Sequence, residues 1–360
     1  MSVLRIIVLL ALVSAALAQS APDAPPKHSK PEITRIMDLA TAGDAHAQAA
    51  LGRAYADGNG VPQNFDLALK WYHKAADQGN AEAENEIGVM YRTGSGVDPN
   101  KEEAVDWYRK AARQGGGPAM FNLAVSYYNG DAVNVDVATS YAWFTLAKEA
   151  GVKDAADSVA RMNTELRPSE IDAGLKIIAR MYAEGTEIKQ DEAESVRWYR
   201  VAAEHGDKEA QVSVGEALIA GRGTPVNYVE GRKWCELAAK QASPAGLYCL
   251  GNVYRAGLGV QKDMPQAMKY FSSAARFNVP ARRALGEMYE NGEAGKVDRI
   301  EALGWYLQAA MAGDDQAKGA AVRIKASMDE SEWNKAKHSM RQWGMDSKNV
   351  EVFLEQSGKP

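Results

Sequence analysis

AALGRAYADGNGVPQNFDLALKWYHKAADQGNAEA, residues Ala49 to Ala83, decides the fold. Its small and apolar residues recur at helical spacing, so a first helix is predicted over Ala47 to Asp57. Gly58 ends it, because a left-handed cap residue costs glycine nothing. The loop Gly58-Asn59-Gly60-Val61-Pro62 turns the chain, and a second helix runs from about Phe65 to Gln78 and stops at Gly79. A glycine inside a helix costs up to ~1 kcal/mol against alanine. Gly52 is therefore expected to sit where a neighbouring helix comes too close for any side chain, with the pair Ala75-Ala76 doing the same for the second helix. Trp71 is expected to fill the wider space, with truncation costing ~3–5 kcal/mol.

The pattern repeats along the chain. Tyr55, Tyr91, Tyr127, Tyr182, Leu218, Tyr254 and Tyr289 are each followed sixteen residues later by Trp71, Trp107, Trp143, Trp198, Trp234, Tyr270 and Trp305. The steps between successive first anchors are 36, 36, 55, 36, 36 and 35 residues. Three residues after each anchor stands glycine, from Gly58 to Gly292; three before it the residue is always small, from Gly52 to Gly286. Such a period marks a repeat architecture, in which each helical pair buries its apolar face only against its neighbours.

These residues resemble the Sel-1-like repeat, a relative of the tetratricopeptide repeat. The resemblance covers Ala47 to about Asp315 with one interruption. It implies an all-α protein, a right-handed α/α superhelical solenoid of seven repeats whose first helices line a concave inner surface. Members of the family are mostly adaptors and scaffolds. Bacterial members with signal peptides often act in envelope assembly, exopolysaccharide control or host interaction.

The ends and the interruption read as caps. Glu32 to Ala42, ending at Gly43, match the second helix of a repeat, with Arg35 in the tryptophan position, and 32–46 are expected to cap the first repeat. The 19 extra residues after repeat three place Met162, Leu166 and Ile171 at the same offsets from Trp143 as Ile324, Met328 and Trp333 from Trp305. An internal cap is thus predicted after repeat three and a C-terminal one over 321–343. The chain divides into repeats one to three with their cap (47–168) and repeats four to seven (169–320), joined by a helix from Ser169 to Glu184. Pro168 suits the start of that helix. A tail, 344–360, carries Val350, Val352, Phe353 and Leu354 and is expected to dock as a short helix, or else to serve as a partner-binding peptide.

Arg5, the apolar run Ile6 to Val13 and the small-residue site ending at Ala18 read as a signal peptide over 1–18, with a mature start at Gln19. Residues 19–31, with four prolines, read as an extended linker. The expected location is periplasmic or secreted, with no membrane span after cleavage. A net charge of −5 gives no reason to expect nucleic acid or an anionic membrane as partner.

Motifs for chemistry are absent. The Gly-x-Gly pairs, such as Gly58-Asn59-Gly60 and Gly221-Arg222-Gly223, follow helices rather than strands and recur as interhelix turns. His28, His46, His73, His205 and His338 do not pair at metal-ligand spacing, so no metal and no cofactor are expected. Cys235 and Cys249 invite a disulfide in an oxidising compartment. However, Cys249 lies two positions, about 200°, from Leu247, where disulfide-bearing relatives carry their cysteine. Buried free thiols are the expectation, the disulfide the alternative.

Opposite Leu51, Gly52 and Tyr55, the stripe equivalent to Ala49, Arg53 and Ala56 is expected to be exposed on the inner surface. In repeat three it holds Phe121, Val125 and Tyr128, flanked by Arg92 in repeat two and by Lys176 and Arg180 in repeat four. Exposed aromatics in a group mark interfaces. The competing reading is that the internal cap covers them. The expected function is an envelope scaffold, adaptor or regulator, not an enzyme, holding a protein, a peptide or a polysaccharide in its groove. The alternative is an envelope enzyme acting on peptidoglycan or a related cell-wall substrate.

Overall fold

The computed structural model describes residues 29–293 and 295–357. Residues 1–18, expected as a signal peptide, the expected mature start at Gln19 and nearly all of the expected linker 19–31 lie outside the described residues. Within them are nineteen α-helices and no strand, as the repeat reading requires. No helix among the described residues is long and apolar enough to cross a membrane.

Helix α1 (Lys30–Thr41) is the N-terminal cap. The first three repeats are the hairpins α2 (Ala45–Asp57) and α3 (Phe65–Ala76), α4 (Ala81–Thr93) and α5 (Lys101–Arg113), and α6 (Gly117–Asn129) and α7 (Val137–Glu149). The internal cap follows as α8 (Lys153–Glu165) and α9 (Pro168–Glu184). Next come α10 (Glu192–Glu204), then the hairpins α11 (Lys208–Ala220) and α12 (Tyr228–Lys240), α13 (Pro244–Ala256) and α14 (Met264–Ala274), and α15 (Val279–Glu290) and α16 (Arg299–Ala310). The chain closes with α17 (Asp315–Ser327), α18 (Glu330–Gln342) and α19 (Ser347–Ser357).

Local chemistry sets the helix ends. The side chains of Asp44, Asn64, Asn80 and Asn100 each accept from a backbone N–H in the first turn of α2, α3, α4 and α5. Such a cap is typically worth ~1 kcal/mol. Gly58 closes α2 at φ 67°, the left-handed conformation its position in the motif demands.

The glycine column has the predicted cause. A Cβ on Gly52 would lie 2.7 Å from the Tyr72 ring, one on Gly88 2.6 Å from Tyr108, one on Gly251 2.3 Å from Phe271 and one on Gly286 2.7 Å from Tyr306. Each first helix thus leaves a window that a ring from its own second helix fills. The filler is not the tryptophan but the residue after it, which corrects the expectation for Trp71. Tyr72, Tyr108, Phe271 and Tyr306 are almost wholly buried. Trp71, Trp107 and Trp305 are only half-buried. Trp71 packs against the cluster of the N-terminal cap and first repeat, and Trp107 against that of repeats one and two. Lys74 lies 4.0 Å over the ring of Trp71 and Lys110 3.6 Å over that of Trp107. Trp143 and Trp198 do meet the expectation of burial.

The two caps are alike in detail. α8 ends at extended Leu166 and α17 at extended Met328, the two residues aligned from the sequence. Each is followed by a helix opened by a glutamate three residues beyond its N-cap, Glu170 after Arg167 and Glu332 after Asp329. α9 folds back on α7 and α18 on α16. The tail docks as the helix α19, burying Val350 and Leu354.

The chain forms two compact units that meet between Asp191 and Glu192, rather than after residue 168 where the sequence blocks divide. The reason lies in α9, a single helix whose Gly174 sits against Tyr141 and the Ala138 carbonyl of α7. It therefore packs with the first unit.

Cys235 and Cys249 form a disulfide, with Cα atoms 6.0 Å apart, which overturns the expectation of free thiols. Leu247 was the wrong reference. Cys235 occupies the ring-filler position beneath Gly215, and a Cβ there would lie 2.6 Å from its sulfur. Cys249 lies on the facing helix of the next repeat, so the bond ties α12 to α13 inside the cluster of Leu250 and Val253.

Candidate partner-binding site

The first helices determine which side chains a partner can meet in the first unit. Their expected open stripe is only partly open. Ala49 and Asn85 are buried, and so is Val125, 7% exposed, a correction to its place among the exposed anchors. The repeats pack their first helices side by side, which covers Ala49, Asn85 and Val125, whereas Arg53 and Arg180 stay exposed and the position after the tyrosine anchor stays half-exposed. That position holds Ala56, Arg92, Tyr128 and Ala183.

Phe121 is half-buried, its ring edge-on to Phe144 of α7 at 5.1 Å between centroids. It is held by its own hairpin and is not a free anchor. Tyr128 is half-buried as well. Burial, reinforced by the carboxylate of Glu165 and opposed by Arg161, pushes its phenol up to about 12. Those two charges belong to α8, so the internal cap reaches Tyr128 without burying it. Arg92 donates through Nε to the Tyr108 hydroxyl at 3.2 Å. On α9, Lys176 is half-exposed and Arg180 exposed.

Two features of this face were not foreseen. The filler tyrosines reach through the glycine windows: the Tyr108 hydroxyl meets Arg92, and in the second unit the Tyr306 hydroxyl donates to Glu290 at 2.7 Å. The signal was present as tyrosine or phenylalanine directly after the tryptophan anchor. A polar strip also crosses the repeats. Asn122 donates to Asn85 at 2.9 Å, and Asn85 donates to Glu86 at 3.1 Å. Burial holds the Glu86 carboxyl above the usual range, with Arg53 and the Asn85 bond opposing it.

In the second unit the same face is closed by its own ion pairs. Arg255 binds Glu287 and Glu293, and Arg323 binds Glu290. Tyr248 of this face tilts against Phe271 at 5.6 Å. Among the described residues no group of three or more His, Cys, Asp or Glu side chains could hold a metal ion.

Hairpins of this kind, repeated along the chain, define an α/α repeat protein. The Sel1 repeat model matches residues 45–80, 81–116, 117–152, 174–207, 208–243, 244–276 and 279–314, and the chain belongs to the Sel1 repeat family. Sel1 repeats generally mediate protein–protein interaction, and the relatives of this chain include regulators. It is 30% identical over 141 residues to the exopolysaccharide production negative regulator of Rhizobium meliloti, matching 35% of this chain and 53% of that protein. It is 29% identical over 94 residues to an ERAD-associated E3 ubiquitin-protein ligase component of Arabidopsis thaliana, 26% of this chain and 15% of that one. The matched segments thus span from about a seventh to about half of the curated relatives' length. The crystal structure of a protective antigen of uropathogenic Escherichia coli with an SLR fold is 29% identical, covering 87% of this chain and 71% of its own, at a TM-score of 0.44.

Proposed function

We propose that this protein is a scaffold or regulator of the bacterial envelope, exported to the periplasm or beyond. It holds a protein partner or peptide, or a polysaccharide, on the first-helix face of repeats two to four. Signalling, exopolysaccharide control and host interaction are the settings in which such a scaffold works, and the name of the Rhizobium relative supports the second. The reading gives the protein no catalytic role.

One observation carries the choice of face. Tyr128 is half-exposed and Arg180 exposed in the first unit, whereas Arg255 and Glu290, the counterparts of Tyr128 in repeats six and seven, are tied up in ion pairs in the second. Arg92, Lys176, Phe121 and Val125 are the other members of the proposed site. Aromatic and arginine side chains in such settings dominate binding energy, typically ~2 kcal/mol or more each on truncation.

Capture of partners from native envelope by the full mature chain tests this. The Tyr128→Ala/Arg180→Ala variant is expected to keep its helical signal and lose the partner that wild type captures. Full capture by a folded double variant would refute the site. Phe121→Ala is unsuitable for the purpose, because removing its ring opens the Phe144 packing and lowers stability. Mass spectrometry of exported protein should find Gln19 at the N-terminus; retention of Met1 would refute the export reading.

A further inference from the structure

One position in the first helices ties each repeat to the one before it. Seven residues ahead of the tyrosine anchor, Gln48 donates through Nε2 to the Ala40 carbonyl at 3.1 Å, and Gln211 to the Ala203 carbonyl at 3.2 Å. In repeat seven Arg282 does the same to Ala275 at 2.6 Å. These carbonyls occupy one equivalent place, near the end of the preceding second helix. Each glutamine also accepts from a second one: Gln78 donates to Gln48 at 2.8 Å and Gln241 to Gln211 at 3.0 Å. The result is a clamp of two glutamines across a repeat boundary.

Repeat two has the same parts with one atom exchanged. Glu84 stands in the place of Gln48 and Gln211, and Gln114, the counterpart of Gln78 and Gln241, lies beside Gly79. The carbonyl in the equivalent place is that of Ala76. Glu84 is 5% exposed, and its buried Oε2 has no hydrogen-bond partner. A carboxylate has nothing to donate to Ala76; a carboxylic acid does.

We propose that Glu84 is a proton-operated latch between the first two repeats: neutral, it donates to the Ala76 carbonyl while accepting from Gln114; ionised, it keeps only the bond from Gln114 and loses the one that crosses to Ala76. Burial raises the Glu84 carboxyl above its ordinary range, with Lys110 opposing. Lys110 faces it from α5, its ammonium lying over Trp107. α3 brings His73, Lys74 and Asp77 in and after its last turn, and α2 brings His46, paired with Asn80. α6 carries no ionisable side chain except Tyr127 and Tyr128. For an acid whose folded value is raised, the stabilising contribution is present at low pH and is lost as pH rises through that value. Acidification therefore tightens this boundary.

The test is thermal unfolding of the full chain from pH 4.5 to 8, comparing wild type with Glu84→Gln. The other raised carboxyls, Glu86, Glu216 and Glu301, are common to both proteins and cancel in the comparison. The melting temperatures should coincide in acid, and the variant should lead by about 2–4 °C above neutrality. Parallel curves, or a gap that opens toward acid, would overturn the latch. The wild type supplies an independent reading by NMR. Backbone amides at the start of α4 should exchange faster, relative to those at the equivalent start of α11, as pH rises. A ratio between the two boundaries that does not change with pH, or that falls as pH rises, would also overturn it.

Discussion

Repeats two and five solve one problem in two ways. In both, the first helix presents a glycine where the second helix comes close, Gly88 in one and Gly215 in the other. Repeat two fills the window with the Tyr108 ring, held by packing and ending in a hydroxyl bonded to Arg92. Repeat five fills it with the Cys235 sulfur, bonded to Cys249 of the next repeat. The backbone approach is constant and the filler is not. The first filler depends on shape alone, whereas the second depends on the redox state of its surroundings.

Removing the fillers should separate them most. Tyr108→Ala leaves a ring-sized cavity in a closed window and should cost ~3–5 kcal/mol in denaturant unfolding. A cost below that of Trp107→Ala would mean that the tryptophan, not the tyrosine, is the structural residue. Reduction of the disulfide, or Cys235→Ala with Cys249→Ala, releases a short loop and should cost about 3 kcal/mol on the loop-entropy model. Hydrogen exchange should then quicken in α11 to α14 and stay unchanged in α2 to α7. An effect spread over both units would break the comparison.

Filling the windows is expected to matter less. Gly88→Ala and Gly215→Ala should each cost ~1–3 kcal/mol through overpacking, since their Cβ atoms would fall 2.6 Å from Tyr108 and from Cys235. A neutral Gly88→Ala would show that the ring can step aside. The smallest effect concerns the surface of repeat five. Arg200 holds the Glu230 carboxyl below its ordinary range, so the pair contributes at neutral pH and its contribution fades as pH falls through that lowered value. Being partly exposed and screened, it should amount to well under ~1 kcal/mol, measured as the pH dependence removed by Arg200→Ala.

Much of this was legible because it is written in spacing. The sixteen-residue interval and the glycine columns gave helices and turns that the structure reproduces, and the aligned Leu166 and Met328 both end a helix. Pro168 opened the helix it was expected to open. What spacing does not encode is which of two adjacent large side chains enters a window, since Trp71 and Tyr72 are equally periodic. Nor does it encode how closely neighbouring helices pack, so Val125 and Phe121 read as open although Val125 is buried and Phe121 packs on Phe144. The disulfide was missed for a related reason, because Cys235 becomes intelligible only as a replacement for a ring.

The hydroxyl that passes through the window has a consequence for how such a surface can change with descent. Tyrosine and phenylalanine differ by one oxygen and by a single nucleotide in their codons. The chain already carries both versions, with Tyr72, Tyr108 and Tyr306 against Phe144 and Phe271. Each exchange adds or deletes one donor on the first-helix face while leaving the volume of the interior almost untouched. A lineage can therefore revise what its repeats recognise from the far side of the wall, in small reversible steps that stability hardly notices.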